Sequence, residues 1–429
     1  MTNILSDESV LVVADLPRTV GSEIPVQDFA GRRHPVDSIN FRTVGAGGRT
    51  GRPLVPVLVI ALLLALTSCS QGGQARPGDS PTTGTGALDP VVQEAKRAVA
   101  AASRTGPSRW TGPVTGPAAV SGRRLVIYVS ETLANGGVTG SMEGAREAAK
   151  VIGWDFRLID GGGTPSGITA ALQKAIDQKP DGIILGAFDA QGEAPLLAQA
   201  SSKGITVVGW HSGDNPGPLT DPAVFYNVGT DTTKVAQLAA QFAIARSNGH
   251  TGTVIFTDDS IPIAHSKAQI MQDTIESCKE CSVLSYVSIP LGAAVERTPQ
   301  KVNHLLSRFG SRWTDSVAIN DLYYDGAVSS LRKARKPPAG PPFNTSGGDG
   351  SVPAFKRIRA GEYQTATIPE PLHEQGWQLI DELNRAFAGS PPSYYIAPLH
   401  VVTKKNIGSG NVYEPPNGYR DHYRAVWQR

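Results

Sequence analysis

The stretch Lys179-Pro-Asp-Gly-Ile-Ile-Leu-Gly-Ala-Phe-Asp189 is followed by a helix-like segment and then by Lys203-Gly-Ile-Thr-Val-Val-Gly-Trp-His-Ser212. Its two short apolar runs, 182–185 and 205–208, lack polar alternation, which is typical of strands buried on both faces of a parallel sheet. The segment between them has apolar residues at helical spacing, and Gly204 supplies a stop signal for a helix. The stretch therefore predicts a β-α-β unit.

Polar and aromatic residues lie just past each of these two predicted strands. Asp189 follows the first strand, and Trp210, His211 and Ser212 follow the second. Ligands of open parallel sheets bind outside the carboxyl ends of the strands, so these residues are candidates for a ligand site. Two alternatives remain open, namely that Trp210 belongs to the core of a lobe and that His211 is a hydrogen-bonded wall residue.

The rest of the folded body repeats this alternation of strands and helices from Arg124 onward, with a last strand predicted at 395–403. Alternating elements predict parallel sheets with right-handed crossovers, and a break near Thr230 separates two similar series. The fold class is therefore α/β, with two doubly wound parallel-sheet lobes joined by a multi-strand hinge. We assign the lobes as 122–230 plus 371–396 for lobe 1, and 231–370 plus 397–429, which includes a C-terminal tail, for lobe 2.

The N-terminal part has a different composition. Residues 1–52 are mixed and polar and are expected to be poorly ordered, apart from a basic lead into an apolar run at 54–66. That run is shorter than the ~20 residues of a membrane span, so 53–69 is predicted to be a secretory signal peptide. Residues 70–121 are rich in Gly, Pro, Ser and Thr and predict a tether, in which Trp110 is expected to pack on the folded body.

The end of the apolar run, Leu66-Thr-Ser-Cys69, resembles the bacterial lipobox. This resemblance implies cleavage before Cys69 and acylation of its side chain, which would anchor the protein to a membrane. An uncleaved anchor helix is the alternative. Because the lead before the apolar run is unusually long, we also consider that translation starts near Val44.

The positions of the cysteines, the motifs that are missing and the net charge limit the kinds of activity and partner that we expect. Cys278 and Cys281 stand between a predicted helix and a strand, where a short-loop disulfide is favoured over a redox pair or half a zinc site. The sequence has no phosphate-binding loop, dinucleotide fingerprint, nucleophile elbow or zinc-protease motif. We therefore expect that the protein is not an enzyme and that it binds no cofactor or metal. The net charge of +2 gives no indication of a nucleic-acid partner.

Several ordered motifs resemble the type I, ribose-binding-like family of bacterial ABC-transporter substrate-binding lipoproteins. They are Asp181-Gly-Ile-Ile-Leu-Gly186, Gly204-Ile-Thr-Val-Val208, Asn320-Asp321, Gly348-Asp349 and Ala366-Thr-Ile-Pro-Glu370. The resemblance implies a monomeric, lipid-anchored receptor in the periplasm or on the cell surface, with ABC permease and ATPase subunits as partners. A sensory receptor that presents its closed form to a membrane sensor kinase is the alternative.

The resemblance also implies ligand-binding residues. Ser130 and Asn135 match a polar pair of the family, whereas Gly136 and Gly137 replace its usual aromatic residues. The implied ligand-binding set is Ser130, Asn135, Asp189, Trp210, His211, Ser212, His265, Asn320, Asp349 and Glu370, and Trp210, Phe188 or Tyr323 would stack on the ligand. Because no Arg or Lys stands at these positions, we expect a neutral polar ligand such as a sugar or polyol.

Overall fold

The computed structural model describes residues 89–428, which form two α/β lobes. The first lobe contains a six-stranded sheet in the order β2-β1-β3-β4-β6-β5, parallel except for the last pair. Its strands are β1 Leu125–Ser130, β2 Asp155–Asp160, β3 Gly182–Gly186, β4 Thr206–Trp210, β5 Gly217–Thr220 and β6 Ala223–Val228.

The second lobe contains a six-stranded sheet in the order β12-β11-β10-β9-β7-β8, in which only β12 is antiparallel to its neighbour. Its strands are β7 Gly252–Thr257, β8 Ser282–Ser288, β9 Asp315–Ala318, β10 Phe343–Ser346, β11 Ala366–Thr367 and β12 Val402–Thr403. The predicted fold of two doubly wound lobes is confirmed.

Eleven α-helices are present among residues 89–428. They are α1 Pro90–Ala102, α2 Gly136–Ile152, α3 Pro165–Asp177, α4 Ala194–Ser202, α5 Thr232–Arg246, α6 Pro262–Glu276, α7 Ala294–Phe309, α8 Leu322–Lys333, α9 Val352–Ala360, α10 Leu372–Phe387 and α11 Tyr419–Trp427.

The predicted β-α-β unit corresponds to β3, α4 and β4, and the two strands pair in parallel. Ile184 packs into the cluster that contains α2 and α10, whereas Ile183 and Leu185 pack into the cluster under α3 and α4. All three side chains are fully buried. The apolar run lacks polar alternation because both faces of this strand are covered by helices.

The predicted strand at 395–403 is wrong except for its last two residues. Only Val402–Thr403 pairs with a neighbouring strand. The preceding segment crosses between lobes, since Tyr395 and Ala397 pack in the first-lobe core and Val401 packs in the second. Because this segment passes from one lobe to the other, no strand edge runs alongside it. Its backbone therefore does not pair with either sheet before Val402.

The C-terminal residues also depart from the prediction, because α11 lies with the first lobe rather than the second. Tyr419, Tyr423 and Trp427 recur at a spacing of four and pack around Trp377 of α10. The rings of Trp377 and Trp427 are stacked with centroids 5.4 Å apart. The spacing of four is visible in the sequence, although the expectation for this segment is a tail of the second lobe.

Part of the predicted tether belongs to the folded body. Helix α1 buries Val92 and Ala95 against the second-lobe core beside α5. Trp110 is 9% exposed and packs in the first-lobe core, as expected, with its ring 5.1 Å from that of His422 and 5.4 Å from that of Tyr423. The chain between them therefore connects the two lobes before β1 begins.

The remaining N-terminal predictions, namely the extension 1–52, the signal peptide 53–69 with Cys69, and the tether up to residue 88, lie outside the described residues. Within 89–428, no helix is long and apolar enough to cross a membrane. At the end of α6, a disulfide joins Cys278 and Cys281.

Candidate functional site

The carboxyl ends of strands from both sheets meet around a cavity of about 50 Å³. The first lobe contributes Glu131, Asn135, Ala187, Trp210 and His211, and the second contributes Ile261, Ile263, Ala264, Lys267, Leu291, Ile319, Asn320 and Asp349. Small-molecule pockets measure about 300–1,000 Å³. The lobes are therefore closed, and a ring-sized ligand enters only when they move apart.

Asn320 and Asp349 form the polar wall on the second lobe. The Asn320 side chain follows β9 and donates from Nδ2 to Asp349 Oδ2 over 2.6 Å, while its Oδ1 accepts from the backbone N–H of Leu322. Asp349 lies against Gly137 in the first turn of α2. A carboxylate is favoured at a helix N-terminus, so this contact helps to hold the two lobes together.

Trp210 and His211 form the aromatic wall on the first lobe. Their rings are stacked at 4.1 Å, and Trp210 Nε1 donates to Gln375 Oε1 over 2.8 Å. His211 has a φ of +53° and its Nε2 lies 3.4 Å from Glu370 Oε1. Trp210 is at once buried in the lobe core and part of the cavity lining, so the two alternatives for this residue do not exclude each other.

Glu370 lies behind His211, at a crossing between the lobes, and does not itself line the cavity. It accepts hydrogen bonds from Thr230 Oγ1 at 2.7 Å and from Gln375 Nε2 at 2.5 Å. Burial raises the pKa of Glu370, but His211, Thr230 and the charge of Lys267 outweigh this effect and leave the pKa below its usual value. Glu370 is therefore a charged group. Its hydrogen bond to Thr230 links two of the chain segments that pass between the lobes.

Two lining residues, Lys267 and Glu131, were missed by sequence reasoning. The Lys267 ammonium is buried and donates to the carbonyl oxygen of Ile319 over 3.3 Å. Burial lowers the pKa of Lys267, against the opposing charges of Asp349, Glu370 and Asp321.

Glu131 directly follows the last residue of β1 and is 8% exposed. Its carboxylate makes no hydrogen bond to any residue of the described chain, and Oε2 is fully buried. Burial, followed by the negative charges of Asp258 and Asp349, raises the pKa of Glu131 to about 7. Its place at the end of a buried strand was the available sequence signal.

The prediction for His265 placed the wrong face of α6 at the cavity. Ile263, Ala264 and Lys267 line the cavity, because positions four apart share a helix face. His265 points elsewhere, its side chain is 51% exposed, and its Nδ1 lies 3.0 Å from Asp259. Lys267 thus occupies the place at the cavity that the prediction gave to His265.

Three other predicted ligand residues lie away from the cavity. Ser130 donates from its Oγ to Asp160 over 2.9 Å. The side chain of Asp189 closes a turn by accepting from the N–H of Gln191. Ser212 is buried within the lobe and donates to the carbonyl of Leu185. Each of these side chains has a local partner, so none is brought to the cavity lining.

The two other candidate stacking residues, Phe188 and Tyr323, are also absent from the lining. Phe188 packs in the core under α3 and α4. Tyr323 packs in the second-lobe core and donates from its hydroxyl to the carbonyl of Ile289 over 2.9 Å. Asn135, Trp210, His211, Asn320 and Asp349 are the predicted residues that the structure does bring together, and their role as ligand contacts stays a prediction.

Comparison with solved structures shows the same fold in several proteins of low sequence identity. A glucose-galactose binding protein from Geobacillus stearothermophilus is 18% identical with a TM-score of 0.58, over 67% of this chain and 100% of that one. An ABC transporter solute-binding protein from Bacillus halodurans with bound myo-inositol is 16% identical with a TM-score of 0.57, over 67% and 97%. A periplasmic ribose ABC transporter protein from Conexibacter woesei is 18% identical with a TM-score of 0.55, over 70% and 95%.

The family model described as a periplasmic binding protein domain matches residues 126–391, more than half of the chain. This match confirms the resemblance that the sequence motifs indicated. The family consists of solute-binding proteins and not of enzymes, so the expectation of no catalytic activity is also confirmed. The chain belongs to the periplasmic binding protein family, and membership implies a small-molecule ligand, ABC-transporter partners and a place outside the cytoplasm.

Proposed function

We propose that this protein is the lipid-anchored, monomeric solute-binding receptor of an ABC importer and captures a sugar- or polyol-like ligand between its lobes. The observation that carries the proposal is the cavity between the lobes, to which both lobes contribute polar side chains, with Asn135 on one side and Asn320 and Asp349 on the other. Short amide and carboxylate side chains at strand ends suit hydroxyl groups. The ligands of the similar proteins, glucose-galactose and myo-inositol, are of this class.

Capture would proceed by hinge closure. A ligand binds one lobe of the open form, and the second lobe adds contacts that only the closed form can make. Thr230 and Glu370 lie on two of the chain segments that pass between the lobes, and their side chains are hydrogen-bonded to each other. These segments are where the chain would bend during closure. A permease would then recognise the closed form, and its ATPase partner would supply the energy for transport.

The lipid anchor rests on Leu66–Cys69 of the sequence. An anchor of this kind would keep the receptor close to its permease and raise the effective concentration of the ligand-loaded form. The alternative of a sensory receptor is not favoured, because the similar proteins are described as ABC-transporter proteins.

We expect sugars or polyols to raise the stability of the full-length protein. A ligand at 100 times its Kd adds about 2.7 kcal/mol to the free energy of unfolding, which a thermal-melting screen detects. Asn320→Ala should lose most of the response, because it removes a cavity side chain and the partner of Asp349. Asp177→Asn, a surface change at the end of α3, should respond like the wild type. A screen of sugars, polyols and their amino derivatives that gives no shift would contradict the proposed function.

A further inference from the structure

The cavity together with its buried surroundings carries more negative than positive charge. Glu131 and Asp349 line it, and the carboxylates of Glu370 and Asp258 are buried nearby. Against these four acids, Lys267 and the imidazole of His211 are the basic groups in the lining. In the lining alone, Glu131 and Asp349 balance Lys267 and a protonated His211. The two buried acids behind the lining, Glu370 and Asp258, make the balance around the cavity negative.

Glu131 is the acid that the protein itself does not satisfy. Asp349 accepts from Asn320, Glu370 accepts from Thr230 and Gln375, and Asp258 accepts from the backbone N–H of Leu291 over 2.7 Å. The carboxylate of Glu131, in contrast, has no hydrogen-bond partner within the described residues. A buried carboxylate without a partner is costly, so its place at the cavity wall points to a donor on the ligand.

Lys267 does not supply that donor. Its ammonium bonds to the carbonyl of Ile319, and no carboxylate oxygen lies within 4 Å of it in the described part of the chain. The ligand therefore meets an unpaired carboxylate on one lobe and an ammonium on the other. A hydroxyl group would satisfy the geometry at Glu131, but only a cation would offset the charge as well.

The rest of the second-lobe lining is apolar. Ile261, Ile263 and Leu291 stand beside Lys267. A hydroxylated ring offers such a surface its C–H face, while its ring oxygens and hydroxyls accept from Lys267 and bond to Asn320 and Asp349. A fully polar, highly charged ligand would have no apolar surface to pack against Ile261, Ile263 and Leu291.

We propose that the ligand is an amino sugar or amino polyol, a hydroxylated ring that carries an ammonium group, and that the ammonium pairs with Glu131 and the neighbouring charge of Asp349. This inference rests on the proposed solute-binding function and changes the expected ligand from neutral to cationic. Lys267 would then face a ligand oxygen rather than a second cation.

Calorimetric titration of the full-length protein tests this pairing. The probes are glucosamine, galactosamine and 6-amino-6-deoxyglucose, with glucose, galactose and N-acetylglucosamine as uncharged counterparts. We expect at least one amine to bind about 10-fold or more tighter than its uncharged counterpart, and Glu131→Gln to weaken that amine about 10- to 100-fold while weakening the uncharged sugars much less. Asp177→Asn is the matched control for removal of a carboxylate outside the cavity.

The pH dependence of the wild type gives a second readout that needs no variant. The groups facing Glu131 are the acids Asp258 and Asp349 and the basic lining residues Lys267 and His211. Because burial raises the pKa of Glu131 to about 7, its carboxylate is more fully charged at pH 7 than at pH 5.5, while the amino sugars stay largely protonated at both pH values. An amine should therefore bind more weakly at pH 5.5 than at pH 7, whereas an uncharged sugar should not.

The outcomes separate the two proposals. Uncharged sugars that bind as tightly as the amines, with no loss in Glu131→Gln, would overturn the cationic ligand and leave the solute receptor standing. Amine binding that does not weaken at low pH would also overturn the pairing with Glu131. Absence of binding across both sets would overturn the proposed sugar receptor itself.

Discussion

Gly137→Ala is expected to hold the two lobes apart. Gly137 lies in the first turn of α2 on the first lobe, and a methyl group built on it would stand 2.8 Å from Cβ of Asp349 on the second lobe. Asp349 cannot retreat easily, because it is buried and bonded to Asn320. Relieving such a clash costs about 1–3 kcal/mol, which would weaken ligand capture about 5- to 150-fold.

The effect should fall on closure rather than on folding, because the clash is absent once the lobes separate. Small-angle scattering should therefore give a larger radius of gyration for Gly137→Ala than for the wild type, with little change in the melting temperature. Gly192→Ala is the matched control, since a methyl group at this first-lobe surface position meets no atom within 4 Å. Equal radii for all three proteins would show that the close approach of α2 to Asp349 does not limit closure.

The same contact explains a departure noted in the sequence. Two glycines, Gly136 and Gly137, stand where the resembled family usually has aromatic residues. In the structure the backbone of α2 comes so close to Asp349 and Ser351 that no larger side chain fits without movement. The absence of aromatic residues here is therefore a requirement of this closed form, and Trp210 with its stacked His211 provides the aromatic surface instead.

Prediction from the sequence succeeded where local pattern and burial agree. Ile183, Ile184 and Leu185 form an apolar run that only a doubly covered strand explains, and from such runs the lobes, sheets and strand ends follow. Some positions that follow strands, such as Asn320 and His211, consequently line the cavity, whereas others, such as Asp189, do not.

Side-chain direction on helices was harder to predict, because it depends on how each helix is rotated against its sheet. Choosing His265 rather than Lys267 shows the difficulty, since the two residues stand two positions apart on α6 and face different ways. Which lobe the N- and C-terminal segments pack on could not be predicted for another reason. The partners of these segments are distant in the sequence, as between Trp110 and Tyr395, and a local pattern that predicts a helix does not show which lobe the helix packs on.

Trp377→Ala is expected to have the largest effect on stability. Trp377 of α10 is fully buried, stacks on Trp427 of α11 and donates from Nε1 to Glu147 over 3.1 Å. Removing a buried Trp side chain leaves a cavity that costs about 3–5 kcal/mol. Urea unfolding of the full-length protein, followed by circular dichroism, should show this loss as a lower midpoint.

Tyr394→Ala provides the contrast, because Tyr394 is a large aromatic residue of the same lobe whose side chain is 63% exposed. Its loss should change the free energy of unfolding by no more than about 0.5 kcal/mol. If Trp377→Ala cost as little as Tyr394→Ala, α11 would not be docked on α10 as the structure shows. A large cost is the result expected if Trp377 joins α2, α10 and α11 in one core. Since α10 begins right after Glu370, this aromatic cluster lies beside one of the segments that pass between the lobes and on which closure depends.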